Sequence, residues 1–274
     1  MATLHDLKKY TRQFHKTEAA MPMLFIGHGS PMNGIEANEF SQGWASIAKE
    51  IPTPKAVLCI SAHWYTQGTL VTAMEKPKTI HDFYGFPKAL FDVDYPAPGN
   101  PQLAKQIAGL VTKTQVNLDH EWGLDHGTWS VVRQMYPEAT IPVLQLSIDY
   151  TQKPEYHYSL AHDLNELRKK GILIIGSGNM VHNLRLIDWK LPHTGYDWAL
   201  ETNARFKQLI ITDNHKSLIH FESLGKGAQL AIPTPDHYLP VLYILGLKKK
   251  DETIHFFNDK TVMGSVSMTS FKIG

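Results

Sequence analysis

A chain of 274 residues with 43% hydrophobic and 19% charged residues can bury a sizeable core and has the balance of a soluble globular protein. Lys+Arg 27 against Asp+Glu 26 leaves a net charge of +1, without the basic excess of a nucleic-acid or membrane-surface binder. No apolar run reaches the length of a membrane span, Met1 to Lys16 carries no apolar signal core, and the single cysteine, Cys59, allows no intramolecular disulfide, so a reducing cytoplasm is the expected setting.

Residues 1–20 read as a polar lead-in, and residues 21–274 as one domain. Met23 to Ile26 predicts a buried strand that runs into Gly27-His28-Gly29-Ser30-Pro31. Glu39 to Glu50 has helical spacing, with Phe40, Trp44 and Ile47 on one side, and Pro52 and Pro54 end it. Lys55 to Ser61 is apolar on both faces, as a central strand of a covered parallel sheet would be, and leads into Ala62-His63-Trp64. Gly68 to Met74 is a further β-rich run. The long irregular stretch from Lys76 to Asn100 holds His81-Asp82-Phe83-Tyr84-Gly85-Phe86-Pro87, too apolar for a plain solvent loop and suited to a lid or pocket wall.

Pro101 to Val111 predicts a helix, Leu118 to His126 a loop, and Thr128 to Tyr136 a helix that Pro137 ends. Ile141 to Ile148 is a strand, and Pro154 to Lys170 an amphipathic helix with proline in its first turn. Ile172 to Ile175 is another doubly buried strand, running into Gly176-Ser177-Gly178-Asn179-Met180-Val181-His182. Helical stretches follow at Trp198 to Ile211 and His215 to Phe221, and Pro233-Thr234-Pro235-Asp236-His237 opens an apolar helix over Tyr238 to Leu245. From Thr253 the pattern alternates like antiparallel strands. Strands alternating with helices predict an α/β fold, a single domain with a central, mostly parallel sheet flanked by helices.

Histidine is the unusual residue, with 15 in the chain against one cysteine, so a metal site would be nitrogen-rich and suited to zinc, copper, iron or nickel. His28, His63 and His182 each follow a buried apolar strand, and in open α/β sheets ligands bind beyond the carboxyl ends of the strands. His237 begins a buried helix and His126 precedes another. His5, His15, His157, His162, His193, His215 and His220 lie in polar contexts and are expected to be solvated. Gly176-Ser177-Gly178 lacks the remaining spacing of a phosphate loop, and Gly27-His28-Gly29-Ser30 does not centre its serine as a nucleophile elbow does. Spacing alone thus gives a mononuclear, histidine-rich metal site at the strand ends, and leaves hydrolysis, redox chemistry and metal storage open.

Eight segments in order add a resemblance. They are Gly27-His28-Gly29-Ser30-Pro31-Met32, Ser61-Ala62-His63-Trp64, Ile80 to Pro87, Tyr95-Pro96-Ala97-Pro98-Gly99, Asp125-His126-Gly127, Pro142 to Asp149, Gly176 to Leu184, and Pro233 to Pro240. Together they resemble the class III extradiol ring-cleavage dioxygenases, nearest to the bacterial and plant DOPA 4,5-dioxygenase-like subgroup. The resemblance implies a ring-cleaving dioxygenase that acts on a DOPA-like catechol with O2 and one non-haem divalent metal. It assigns His28, His63 and His237 as ligands, with His237 where many such enzymes carry a glutamate. His182 is implied as acid/base at the metal and as a fourth ligand, and His126 as a second catalytic histidine that donates a hydrogen bond. Trp64, Phe83 and Tyr238 are implied as pocket walls. Iron(II) is expected for dioxygenase activity, and zinc(II) is the other occupant that an all-imidazole set favours. Two rival functions share these ligands: a zinc hydrolase using Glu36 or Asp236 as base, and a non-catalytic metal-binding protein. No nucleic-acid or membrane partner is expected, and the oligomeric state is not legible.

Overall fold

The computed structural model describes residues 20–274, so residues 1–19 of the expected lead-in lie outside the described part. The strands are β1 (Met23–Gly27), β2 (Ala56–Thr66), β3 (Thr69–Thr72), β4 (Val116–Asp119), β5 (Val143–Asp149), β6 (Ile172–Gly178), β7 (Ile254–Phe257), β8 (Thr261–Val262), β9 (Val266–Ser267) and β10 (Ser270–Ile273). The main helices are α1 (Glu39–Glu50), α2 (Lys88–Phe91), α3 (Pro101–Leu110), α4 (His126–Met135), α5 (Pro154–Arg168), α6 (Asp197–Ile211), α7 (His215–Ile219), α8 (Lys226–Ala231) and α9 (Leu239–Leu247). Most predicted elements are present at nearly their predicted bounds. β4, α8 and α2, which lies inside the stretch read as irregular, were not expected. All three are too short to set a period.

Among the described residues, eight strands form one sheet in the order β4-β3-β5-β2-β6-β1-β10-β7. The central four, β5-β2-β6-β1, are all parallel. Antiparallel pairing begins at their borders, between β3 and β5 on one side and β1 and β10 on the other. The sheet is therefore parallel where it is buried on both faces and mixed at its flanks, as an antiparallel border strand allows.

The apolar runs explain the two faces through the period-two pleat. Met23, Phe25, Leu58, Ile60, Ile172 and Ile174 pack toward α5 and α9 on one side. Leu24, Ile26, Val57, Cys59, Leu173 and Ile175 pack toward α1 and α4 on the other. Helices thus cover both faces, and the carboxyl ends of the parallel strands open at a common edge.

His157 departs from expectation. Its polar sequence context predicts solvation, yet it is fully buried in α5, with Nδ1 3.0 Å from the Tyr243 hydroxyl. It sits on the inward side of the helix in line with Leu160, Ala161 and Leu164, a spacing of three and four that its polar neighbours mask. Tyr238 also departs. It is buried between Phe206 and Phe221, with its hydroxyl donating to the Leu218 carbonyl, so it belongs to the core and not to a pocket wall.

Candidate metal centre

His28 follows β1 directly, and Gly29 turns the chain away with φ +58, a left-handed conformation that costs glycine least. His63 is not past the end of its strand. β2 pairs with β6 up to Ser61, then slips against β5 between Ile60 and Tyr65, and His63 sits in that irregular stretch. Such a bulge re-aims side chains locally, and a pure alternation pattern cannot show it. His126 is the first residue of α4, capped by Asp125, whose Oδ1 accepts from the Thr128 amide at 3.1 Å.

His237 reaches the site because β6 ends in glycine. A Cβ on Gly178 would collide with the His237 carbonyl, and one on Gly176 with Pro240, so the Gly-Ser-Gly run lets the start of α9 pack on the sheet. His182 comes from the loop after β6, its amide donating to the Ala231 carbonyl at 2.8 Å.

These placements bring five histidines together. His28 and His63 face each other with Nε2 atoms 3.1 Å apart. One ring nitrogen each from His28, His63 and His237 lie within 4.8 Å of one another. His182 does not join that set; its ring lies flat on His237, with centroids 3.6 Å apart and planes 9° apart. His126 lies beside His63 at a centroid distance of 3.9 Å.

The partners of the other ring nitrogens fix the protons. Ser177 donates its hydroxyl to the Gly127 carbonyl at 2.5 Å, so its oxygen must accept from His28 Nδ1 at 3.0 Å. His63 Nδ1 lies 3.2 Å from Asp82 Oδ2, and His237 Nδ1 3.1 Å from Asp236 Oδ1. Carboxylates only accept, so His237 carries its proton on Nδ1, as His28 does, and the Asp82 carboxylate favours the same tautomer at His63; in that form each ring turns a bare Nε2 outward. Two such lone pairs at 3.1 Å repel unless a proton on one of them or a metal ion lies between them.

Protonation is a poor relief for the clash. Burial, reinforced by repulsion from neighbouring imidazoles, pushes the pKa of His28 and of His63 well below the ordinary value. A divalent metal does relieve it: nitrogens bound at about 2.0–2.1 Å in a tetrahedral set stand roughly 3.4 Å apart. The residues therefore fit a metal, with the Nδ1 partners acting as the outer hydrogen bonds that orient histidine ligands.

The charge around the site is also legible. Hydrogen bonds from His237 outweigh burial and hold Asp236 at about 2; those from His126 outweigh burial and lower Asp82. Negative charge that a glutamate ligand would bring to the metal is thus present one bond further out, on Asp236. Burial chiefly, then His237, pushes His182 down to about 2, so its ring is neutral.

Phe83 meets His126 edge to face at 5.6 Å and packs on Phe86 and Phe91, which makes the 81–91 segment a wall of the site. Trp64 points away from the histidine face of its strand and stacks on Trp122 at 5.8 Å. Sequence reasoning gave no role to Asp82 or Ser177. A carboxylate set among His81, Phe83 and Phe86 was the available signal for Asp82; Ser177 lay hidden in the glycine run.

The family described as the catalytic LigB subunit of aromatic ring-opening dioxygenase matches residues 21–270, and the chain belongs to it. It is an extradiol ring-cleaving dioxygenase by class. Among individual proteins it is 45% identical to the 4,5-DOPA dioxygenase extradiol of Escherichia coli K12 over 93% of this chain and 95% of that one. It is 35% identical to the Beta vulgaris protein of the same name, over 90% and 96%. An uncharacterized Escherichia coli K12 protein of known crystal structure superposes with a TM-score of 0.81 at 41% identity, covering 93% of this chain and 100% of that one.

Proposed function

We propose that this enzyme cleaves a DOPA-like catechol beside its hydroxyl pair, with His28, His63 and His237 holding one divalent metal. The observation that carries the reading is the convergence of His28, His63 and His237, one ring nitrogen of each within 4.8 Å of the others and each with a polar partner beside its Nδ1. When bound, the metal supplies Lewis acidity to both catechol oxygens, and iron(II) adds the redox capacity toward dioxygen that zinc lacks.

His182 is the acid/base in this reading and not a fourth ligand. Its ring is neutral, stacked on a ligand and free to accept a proton from a substrate hydroxyl and return it later. The stack on His237 fixes its plane, and the nearby Asp236 carboxylate favours its protonated form once the proton has moved. Phe83 and Phe86 exclude water from the wall nearest His126. A cytoplasmic setting suits a chain whose one cysteine is a free, buried thiol; among the described residues no helix is long and apolar enough to cross a membrane.

Hydrolysis finds less support. Glu36 is exposed, and Asp236 is committed to the Nδ1 of His237, so neither sequence candidate is a free base at the site. The all-imidazole set does favour zinc, and zinc-loaded protein is expected to be silent as a dioxygenase.

The test is anaerobic loading with iron(II), confirmed by metal analysis, followed by dioxygen and a catechol panel that includes L-DOPA. A yellow ring-opened product is expected with iron and not with zinc; its absence across the panel from iron-loaded protein rejects the reading. His182→Ala should keep its metal and lose about 10²–10⁴-fold in turnover, the range for a positioned acid/base group. Unchanged turnover would remove His182 from that role.

A further inference from the structure

Asp82 reaches two of the clustered histidines from a third element. Its Oδ1 accepts from the His126 amide at 3.0 Å and from His126 Nδ1 at 2.9 Å. Its Oδ2 lies 3.2 Å from Nδ1 of His63. The loop that carries it is itself held down, by Trp129 Nε1 donating to the Ile80 carbonyl at 2.9 Å and by His81 Nε2 3.0 Å from the Val93 carbonyl.

We infer that Asp82 is a positioning residue whose two oxygens set the tautomers of His63 and His126 together, so that one turns a ligand lone pair to the metal and the other an acceptor to the substrate. A carboxylate has no proton to give, so His126, hydrogen-bonded to Oδ1, carries its proton on Nδ1, and the charge of Oδ2 beside Nδ1 of His63 favours the same tautomer there. Both Nε2 atoms are then bare. For His63 that is the form a metal needs. For His126 it reverses the expectation from the sequence: as a neutral ring it accepts a hydrogen bond at Nε2 and does not donate one. It becomes a donor only after taking a proton, and the imidazolium so formed faces the Asp82 carboxylate. The aromatic loop is thus a part of the metal site as well as its wall, because a shift of the loop moves the carboxylate that orients a ligand.

The asymmetry of the two oxygens makes a sharp prediction for Asp82→Asn. The amide has one acceptor oxygen. Oδ1 receives two hydrogen bonds from His126 and Oδ2 one contact from His63, so the amide oxygen should stay with His126 and its NH2 should face His63. His63 Nδ1 must then accept, which moves its proton to Nε2 and blocks the ligand position.

The role at His63 rests on the proposed metal site; the tautomers can be read without it. Protein labelled with ¹⁵N-histidine, metal-free, is examined by long-range ¹H–¹⁵N correlation, and zinc affinity is measured by chelator competition. Wild-type protein should show Nδ1–H at both His63 and His126. Asp82→Asn should convert His63 to Nε2–H, leave His126 unchanged, and weaken zinc about 10- to 100-fold, the usual loss for an outer partner of a ligand. Asp82→Ala should weaken zinc by at least as much. An Nε2–H tautomer at His126 in the wild-type protein overturns the inference without any variant having to fold, as does a folded Asp82→Asn with zinc affinity within threefold of wild type. Failure of the iron-loaded enzyme to open a catechol leaves these readouts untouched, so the two proposals fail separately.

Discussion

The two ends of the central parallel strands are built on opposite terms. At the amino end Arg168, fully buried at the close of α5, donates to the carbonyls of Met21 at 2.8 Å and Leu247 at 3.3 Å and pairs with Glu252. Every group there answers another, and the charge is paired. At the carboxyl end His28 and His63 are held with their Nε2 atoms 3.1 Å apart, and burial, with the neighbouring imidazoles, disfavours their charged forms. One end spends its polar groups on closure; the other keeps some unmatched and aims them at a ligand. Strain of that kind persists only where the surroundings fix it, and the outer partners Ser177, Asp82 and Asp236 do so here.

The sharpest way to break this contrast is Arg168→Ala. It removes the side-chain donor from two carbonyls and the paired charge from the Glu252 carboxylate, which keeps the Lys249 amide, and should cost about 3–5 kcal/mol in chemical denaturation, the range for removing one partner of a buried pair. Once folded, the variant should bind zinc as the wild type does. A loss of metal affinity would show that the two ends are coupled.

A smaller effect, on the order of a few kcal/mol, is expected from acid. His28, His63 and His182 have folded pKa values below the ordinary 6.5, and His157 is pushed down to about 4, chiefly by burial. The unfolded chain therefore takes up protons first as pH falls below about 6.5, so the stability of the metal-free protein is full above that pH and declines through the window down to the folded values. Thermal unfolding from pH 7.5 to 4.5 checks this. Arg168 does not titrate there, so its alanine variant should run parallel to the wild type at lower Tm; a flat wild-type profile would reject the account.

Ser177→Ala should give the smallest change in stability, about 1 kcal/mol. It frees the His28 ring, and should weaken zinc about 10-fold by chelator competition. Stability loss equal to that of Arg168→Ala would mean that the carboxyl end also serves closure.

Much of this was legible in the residues, for identifiable reasons. The doubly buried strands announced themselves because Leu58 and Val57, or Ile174 and Leu173, serve opposite faces of one sheet, which leaves an unbroken apolar run. The strand-end position of His28 followed from the same pattern. His63 was approached less directly, because a bulge leaves no mark in hydrophobic period. His157 was misread because a single inward polar residue on an amphipathic helix looks like its outward ones; Tyr238, which the resemblance implied as a pocket wall, is turned into the core by what packs on it across the fold.

The sequence by itself determined the α/β class, the central strands and which histidines follow them, since each depends on local period and on glycine and proline punctuation. Only the tertiary structure decided which nitrogen of His28 and of His63 is turned toward the rest of the cluster. That choice depends on Ser177, which lies 149 positions from His28 in the chain, and on Asp82, carried to His63 by a loop whose approach no local pattern encodes; Asp236, by contrast, is the sequence neighbour of His237. It decided likewise that His182 stacks on His237 and stands outside the facing set, because a ring's plane is fixed by what packs against it.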